Sequence, residues 1–283
     1  MALGGGLIAT DLFGPKKPHN VHHIGVQLWS IKDDMAKDAV GSLAKVAKMG
    51  YIEVEGASYA DGMFYKMSPK DFKKVLDDNG LKMTSGHTVL KTADYDNVAK
   101  DFKDSWKLAV ESAAKVGQKW IVSPWTADED RTNLDALKKH CEVMNKAGEY
   151  AHKMGLNFGY HNHDFEFVKL VEGQRIYDFY LKNTEKNHVS FEMDFYWVVK
   201  GGFSPEDYIK ANPGRFRLCH VKDRDAKTGD TIEVGEGNIN FQKIFDLKHT
   251  AGFQYFIVEL EHYKRPAMEG IEVCLNNLKK LKF

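Results

Sequence analysis

The stretch Lys153-Met-Gly-Leu-Asn-Phe-Gly-Tyr-His-Asn-His163 contains the end of a helix, a glycine and a strand, in that order. The strand is predicted from Asn157, where the pattern changes from helical to alternating apolar residues. Side chains alternate across a strand, so His161 and His163 are expected on the same side. Burying an imidazole without a partner costs on the order of 1–3 kcal/mol. A metal, a polar ligand or backbone groups at the edge of the core are the possible partners.

The same succession of helix, glycine and strand recurs along the rest of the chain. Strands are predicted at Ile24–Trp29, Tyr51–Glu55, Leu81–His87, Lys119–Pro124, Asn157–His163, Val189–Asp194, Phe216–Lys222 and Tyr255–Glu261. Helices are predicted at Val40–Lys48, Pro69–Asp78, Asn97–Val116, Leu134–Met154, Ile176–Leu181, Pro205–Ala211, Phe241–Leu247 and Met268–Leu281. Glycines suited to end a helix stand just before strands, at Gly50, Gly80, Gly117, Gly155 and Gly252.

Eight alternations predict an α/β fold, a (β/α)8 TIM barrel in a single domain. A doubly wound open sheet would also alternate, but it more often has six strands, and no GxGxxG motif follows the first strand. The 283 residues, 43% of them hydrophobic, suffice for one large core. The 40 basic and 40 acidic residues balance, so no nucleic-acid or membrane partner is expected. A small molecule is the expected partner, and a homo-oligomer is possible.

Three cysteines, Cys141, Cys219 and Cys274, are widely spaced and form no CxxC motif, so they are expected to be buried and unpaired. Residues 1–20 show neither a helical nor a strand period, so the barrel is expected to span residues 21–283. This first segment is similar to the end of a secretory apolar region followed by a polar tether, but it lacks a basic n-region. Export to the periplasm or beyond is one expectation, and a flexible terminus on a cytoplasmic protein is the other.

Charged and imidazole side chains collect where the predicted strands end, which is the edge that carries the active site in a TIM barrel. Four of these residues come from consecutive strands: His161, Asp194, His220 and Glu259. Two imidazoles and two carboxylates suit Mn²⁺, Co²⁺, Fe²⁺ or Zn²⁺ better than Mg²⁺, which prefers an all-oxygen shell. A metal-free network of histidines and carboxylates is the alternative.

A set of short motifs resembles the sugar phosphate isomerase/epimerase family, which has the xylose isomerase-like barrel. The set consists of Gly25-Val-Gln-Leu-Trp29, Tyr160-His-Asn-His163, Met193-Asp194, His220-Val-Lys-Asp223 and Gly235-Glu-Gly237. The resemblance implies a metal quartet of Glu, Asp, His and Glu. Asp194, His220 and Glu259 match its last three positions, whereas His161 stands in the first position, where the family has a glutamate that serves epimerases as one of two bases.

Three functions follow from this resemblance. The first is a divalent-metal-dependent sugar isomerase or epimerase, which abstracts a proton next to a carbonyl and forms an enediolate. The second is a lyase or hydratase that uses the same chemistry on 3-keto-glycosides or keto-sugars, which the departure at His161 favours. The third is a carbohydrate-binding barrel without catalysis. A metal-dependent endonuclease would need further ligands and a basic face.

Individual roles are predicted for residues at the strand ends. Glu259 and His163 are candidate bases, and Lys222 either pairs with a developing oxyanion or forms a salt bridge at the barrel mouth. Substrate contacts are expected from Trp29, Trp125, Trp197, Glu55, His87 and Glu236. The loop of residues 233–237, with two glycines, is expected to close over the substrate.

Overall fold

The computed structural model describes residues 24–282, and the expectation for residues 1–20 lies outside them. Eight parallel strands close into a barrel in which each strand pairs with its neighbours in sequence and the last pairs with the first. The strands are β1 (Ile24–Gln27), β2 (Glu53–Gly56), β3 (Lys82–His87), β4 (Trp120–Ser123), β5 (Asn157–His161), β6 (Val189–Asp194), β7 (Phe216–Val221) and β8 (Tyr255–Val258). The predicted (β/α)8 barrel is therefore confirmed.

Helices surround the barrel, and short elements extend some of its loops. The α-helices are α1 (Lys32–Lys37), α2 (Ala39–Met49), α3 (Pro69–Asp78), α4 (Asp104–Val116), α5 (Leu134–Lys153), α6 (Phe165–Val168), α7 (Ile176–Asn183), α8 (Phe195–Lys200), α9 (Pro205–Ala211), α10 (Phe241–Phe245), α11 (Lys248–Ala251) and α12 (Ala267–Leu278). Short 3-10 helices cover Leu28–Ile31, Thr92–Asp94 and Asp128–Arg131. Two-residue strands pair as Tyr59–Ala60 with Met63–Phe64, Tyr95–Asp96 with Asp101–Phe102, Leu170–Val171 with Gln174–Arg175, and Asp223–Arg224 with Thr231–Ile232.

Elements with clear local signals lie where they are predicted. The bounds of α3, α9 and β6 agree with the prediction to the residue. Ser68 and Ser204 cap α3 and α9 by accepting a backbone N–H, and a proline follows each of them. The five glycines expected before strands all have positive φ, from +68° at Gly80 to +102° at Gly50. A side chain would be strained there, which explains why glycine ends these helices.

The predicted ends of several elements are wrong. β1 stops at Gln27 because the Gln27 side chain accepts the N–H of Trp29 and starts a 3-10 turn, so Trp29 is not in the strand. β5 stops at His161, two residues before the predicted end. Helix α4 begins at Asp104 rather than Asn97, because residues 95–102 form an antiparallel two-stranded ribbon instead.

Two expectations about the whole chain can also be compared with the described residues. The three cysteines are buried and free, as predicted. Among the described residues no helix combines the length and the apolar character needed to cross a membrane.

The barrel is held tightly against its longest helix, α5, at Gly148. A Cβ atom on this residue would lie 2.1 Å from the carbonyl oxygen of His188, which directly precedes β6. This neighbour is backbone and cannot rotate away. Gly148 therefore sets the distance between α5 and β6, the strand that carries Asp194 to the barrel mouth.

Gly148→Ala should lower the free energy of unfolding by about 1–3 kcal/mol, because overpacking against backbone forces helix and strand apart. Urea unfolding measures this change. Gly270→Ala is the matched control, since Gly270 also lies within a helix but its added Cβ would meet side chains only, with the end of Leu260 at 2.8 Å and Glu233 in ordinary contact at 3.6 Å. Equal stability of the two variants would contradict the packing argument.

Candidate metal centre

The four side chains predicted to gather at the barrel mouth do so, and all four are buried. One ligand atom from each of His161, Asp194, His220 and Glu259 lies within 4.8 Å of the other three. Asp194 Oδ2 is 3.6 Å from His161 Nε2 and 3.8 Å from His220 Nδ1, and His220 Nδ1 is 3.0 Å from Glu259 Oε2. These four residues are called the mouth quartet below.

The orientation of His161 and Asp194 leaves one atom of each directed at the quartet. His161 Nδ1 lies 3.3 Å from the carbonyl oxygen of Pro124, which makes it the protonated nitrogen and leaves the lone pair on Nε2. Asp194 Oδ1 accepts the N–H of Trp197 and caps α8, so Oδ2 is the free oxygen. Both free atoms are buried without a hydrogen-bond partner. Metal-binding histidines commonly have their other nitrogen fixed in this way.

Charge states in the quartet also suit a cation. Burial lowers the pKa of His161 to about 4, so the ring is neutral. Burial disfavours ionisation of Asp194 and Glu259, but Lys222 together with His161 and His220 outweighs it and holds the pKa of both carboxyls well below the usual range. At neutral pH the quartet therefore offers two carboxylates and the neutral imidazole of His161, a donor set that fits a divalent metal. Burial lowers the pKa of His220, but the surrounding carboxylates outweigh it and raise this pKa, so the His220 ring would release a proton when it binds the metal.

A second group surrounds the opposite nitrogen of His220. His220 Nε2 lies 2.7 Å from Glu55 Oε1 and 3.3 Å from Glu192 Oε2. His87 Nε2 lies 3.1 Å and 3.0 Å from the same two oxygens. Burial and then the charge of Glu55 raise the pKa of Glu192 to about 7. We call Glu55, His87, Glu192 and His220 the inner quartet. Glu192 precedes Asp194 by two residues on β6, so this group lies deeper in the barrel than the mouth quartet.

Lys222 is completely buried beside the mouth quartet. Its Nζ lies 2.9 Å from Glu259 Oε2, 3.1 Å from Glu261 Oε1 and 3.6 Å from Asp194 Oδ2. The ammonium also lies 4.9 Å from the centre of the Trp197 ring. Burial would lower the pKa of Lys222, but these carboxylates raise it, so the side chain is a cation. The salt bridge expected as one of two roles for Lys222 is therefore present.

Of the predicted aromatic and imidazole contacts, Trp197 and His163 lie near the mouth quartet, whereas Trp29 and Trp125 are more exposed. Half-buried His163 follows β5, with its ring 5.0 Å from that of His161 and 5.2 Å from that of Trp197. Trp197, on α8, thus lies next to the mouth quartet. Trp29 is 44% exposed and, with Met63 and other residues, lines a cavity of about 420 Å³. Trp125 is 38% exposed.

Two expected substrate contacts need correction. Glu55 is fully buried and bonded to His220 and Gln27, so it lies inside the barrel rather than at the rim. Glu236 forms a two-point ion pair with Arg265, at 2.8 Å and 3.2 Å, on the loop after β7. Both carboxylates are therefore already engaged by protein groups. His87, 14% exposed at its side chain, joins Glu55 in the inner quartet.

The loop of residues 233–237 is anchored, contrary to the expectation that it closes over the substrate. The Asp223 carboxylate, the last residue of the His-Val-Lys-Asp motif, accepts the backbone N–H groups of Gly235, Gly237, Ile239 and Arg224 at 2.8–3.1 Å. Val234 is buried, and its carbonyl accepts a bond from Asn277. Asp223 therefore fixes this loop against the barrel.

The sequence prediction missed Glu192 and gave no role to Gln27. Glu192 shares its strand face with Asp194, because the two are two residues apart on β6, so period-two alternation could have found it. Gln27 Nε2 donates to Glu55 Oε1 at 2.6 Å, while Gln27 Oε1 accepts from Trp29. Asn162 links β5 to β6 by bonding both backbone groups of Asp194.

Comparison with known proteins gives the family. A model of the xylose isomerase-like TIM barrel matches residues 43–281. The crystal structure of a sugar phosphate isomerase/epimerase from Parabacteroides distasonis is 31% identical, covers 93% of this chain and 96% of its own, and superposes with a TM-score of 0.80. An inosose dehydratase from Geobacillus thermodenitrificans is 24% identical over 77% of this chain and 80% of its own.

A more distant structure shares the fold. It is that of the IolI protein with a binding zinc atom, which is 16% identical, covers 91% of this chain and 97% of its own, and has a TM-score of 0.71. The relatives include an isomerase/epimerase and a dehydratase, and this chain is an enzyme of the isomerase, epimerase or lyase type. By sequence match and by structure, the chain belongs to the xylose isomerase-like TIM barrel family.

Proposed function

We propose that the protein is a divalent-metal-dependent sugar isomerase or epimerase that abstracts a proton next to a carbonyl group. The observation that carries this proposal is the mouth quartet, in which buried ligand atoms from four consecutive strands lie within 4.8 Å of one another. The unpartnered atoms His161 Nε2 and Asp194 Oδ2 support it, because leaving a buried polar atom unsatisfied costs about 1–3 kcal/mol. A cation supplies the missing partner for both.

His161, Asp194, His220 and Glu259 would hold the ion, with His220 binding through Nδ1. Two nitrogen and two oxygen donors favour Mn²⁺, Fe²⁺, Co²⁺ or Zn²⁺ over Mg²⁺. The zinc in the IolI protein is consistent with this class of metal. When bound, the ion would polarise the substrate carbonyl and stabilise the charge that develops in the enediolate.

Glu259 and His163 are the groups of this chain proposed to move the proton. Each would have to come within about 2.6–3.2 Å of the proton it removes. Glu259 is ionised, because Lys222 and His220 outweigh burial and lower its pKa, so it can accept a proton, but as a weaker base than an ordinary carboxylate. The His163 ring lies 5.0 Å from that of His161, and its buried Nδ1 has no hydrogen-bond partner.

Lys222 and Trp197 are proposed to position the substrate. The Lys222 ammonium donates to Glu259 and Glu261 and could turn one of its N–H groups to a substrate oxyanion. The Trp197 ring lies between Lys222 and His163 and offers an apolar face to the C–H groups of a sugar.

A second candidate is elimination of water or of a glycone from a keto-sugar by the same first step. Two observations favour it. His161 replaces the glutamate that the family's epimerases use as one of two bases, and one relative is a dehydratase. The two candidates share proton abstraction and differ in the mass of the product.

Asp194→Asn should lower metal affinity by at least about 100-fold and reduce activity with it, since even partners of metal ligands are worth 10–100-fold. The amide oxygen can still accept the N–H of Trp197, so the cap of α8 and the fold should remain. Metal titration followed by elemental analysis measures the loss.

Asp130→Asn is the control for this variant. Asp130 is a second buried aspartate whose carboxylate accepts a backbone N–H, that of Thr92, but it lies outside both quartets. Its variant should bind metal as the wild type does. Unchanged metal affinity in Asp194→Asn would remove the mouth quartet as the catalytic site.

Turnover of keto-sugars or aldoses in D₂O with Mn²⁺ or Co²⁺ should place deuterium on the carbon next to the carbonyl, because the abstracted proton exchanges with solvent before it returns. Nuclear magnetic resonance locates the label, and mass spectrometry of the product separates isomerisation from loss of water or of a glycone. Product formed without any exchange would argue against the enediolate, provided that Asp194→Asn is inactive in the same assay.

A further inference from the structure

Beyond this function, we propose that the inner quartet is a second divalent-cation site, suited to Zn²⁺, and that His220 bridges the two sites through its two ring nitrogens. The ligands would be Glu55 on β2, His87 on β3, Glu192 on β6 and His220 on β7. One ligand atom from each lies within 4.8 Å of the other three.

The spacing of the four atoms fits a small tetrahedral ion. The distances from each histidine Nε2 to each carboxylate oxygen are 2.7, 3.0, 3.1 and 3.3 Å. Zinc bonds of about 2.0–2.2 Å place tetrahedral ligands about 3.3–3.6 Å apart, so the histidine–carboxylate pairs would each move by a few tenths of an ångström to reach this spacing. The remaining two pairs lie within 4.8 Å. Two imidazoles and two carboxylates form a donor set that Zn²⁺ accepts.

Hydrogen bonding alone accounts for only half of these contacts. One N–H points at one oxygen, and the geometry allows one good bond for each ring, from His220 to Glu55 and from His87 to Glu192. Yet each nitrogen also lies within 3.3 Å of the second carboxylate oxygen. Each of the two carboxylate oxygens therefore lies near two ring nitrogens, as ligand atoms around a shared cation do.

Burial and unsatisfied oxygens give a second, independent indication. Glu55, Glu192 and His220 are fully buried, and Glu55 Oε2 and Glu192 Oε1 have no hydrogen-bond partner. Two carboxylates this close repel each other in a buried site unless a positive charge lies between them. Without an ion, His87 and His220 supply that charge: burial lowers the pKa of both rings, but the neighbouring carboxylates outweigh it and raise the pKa of His87 to about 9 and that of His220 well above its ordinary value. A divalent ion would take over this role from the two protonated rings.

Glu55 is held by a neighbouring side chain, as the ligands of a metal ion commonly are. Gln27 donates to Glu55 Oε1, and its amide is oriented by the N–H of Trp29. His87 Nδ1 lies 3.5 Å from Gln27 Nε2, too far for a strong bond. The His87 side chain is 14% exposed, which gives an ion a path from solvent.

Binding of the second ion releases protons and leaves a closed site. The proton on His220 Nε2 would go to solvent, as would that on His87 Nε2, so that both nitrogens offer a lone pair. With Nδ1 also bound in the mouth quartet, His220 would then be an imidazolate anion, and its charge is compensated by the two divalent ions. All four positions of the tetrahedron are then protein atoms, which is typical of structural rather than catalytic zinc. The ion would tie β2, β3, β6 and β7 together directly below the mouth quartet.

Metal counting on the full-length chain tests the proposal. Protein stripped by a chelator is titrated with Zn²⁺ alone, freed of excess ion and analysed for zinc per chain. The wild type should retain two ions, Glu192→Gln one and His161→Ala one. Glu192→Gln should also abolish the intense visible absorption expected of tetrahedral Co²⁺ in the inner quartet, whereas His161→Ala should keep it.

Glu166→Gln is the matched control, because Glu166 is also fully buried but contacts neither quartet, and it should retain two ions. Circular dichroism confirms that each variant is folded. A wild type that saturates at one ion, or a Glu192→Gln variant that keeps two, overturns the second site. Failure of the mouth site would give a different result. The wild type would then bind a single ion, which His161→Ala would keep and Glu192→Gln would lose.

Discussion

Repulsion between buried carboxylates is the constraint on which this barrel depends. Among the described residues, Glu55, Glu192, Asp194 and Glu259 contact the single imidazole of His220, and Lys222 is the one lysine that pairs with this group. Each buried carboxylate carries a desolvation cost of several kcal/mol that only a positive charge or hydrogen bonds offset. Lys222, His87 and His220 offset much of this cost, because the carboxylates raise the pKa of all three against the effect of burial. The buried polar atoms that still lack a hydrogen-bond partner, such as His161 Nε2 and Asp194 Oδ2, are the ones proposed to bind a cation.

Secondary structure supplies the rigidity that such a site requires. Every member of the mouth quartet stands at or just after the end of a barrel strand, where the backbone is fixed by two neighbours. Asn162 adds a side-chain link between β5 and β6, and Asp223 holds the loop after β7. The ligand atoms are thus positioned by the fold itself. Their orientation costs little when an ion or a substrate binds.

Several helix boundaries could be predicted from the sequence, because the residues that start and end a helix are close to it in sequence. A serine cap followed by proline marks the start of α3, and a glycine marks the end of a helix wherever φ is positive. The gathering of His161, Asp194, His220 and Glu259 followed from the barrel topology alone, since consecutive strands place their ends at one rim.

Other features depend on long-range contacts that no local pattern contains. The 3-10 turn at Trp29 depends on the side chain of Gln27, which is itself held by Glu55 on the next strand. The anchoring of the loop after β7 depends on Asp223, whose motif suggested a role in the site rather than in the backbone. Glu192 was overlooked although alternation places it beside Asp194. Glu192 lies one layer deeper in the barrel than the strand end, where the candidate site residues were expected.

The carboxylate of Asp194 has a consequence of its own, because its two oxygens serve different ends. Oδ1 holds the first turn of α8 at the N–H of Trp197, while Oδ2 faces the mouth quartet. Because both oxygens belong to one rigid carboxylate, a displacement of Oδ2 also moves Oδ1. Filling or emptying the centre should therefore disturb the indole of Trp197, so that the intrinsic fluorescence of the enzyme becomes a reporter of its own occupancy.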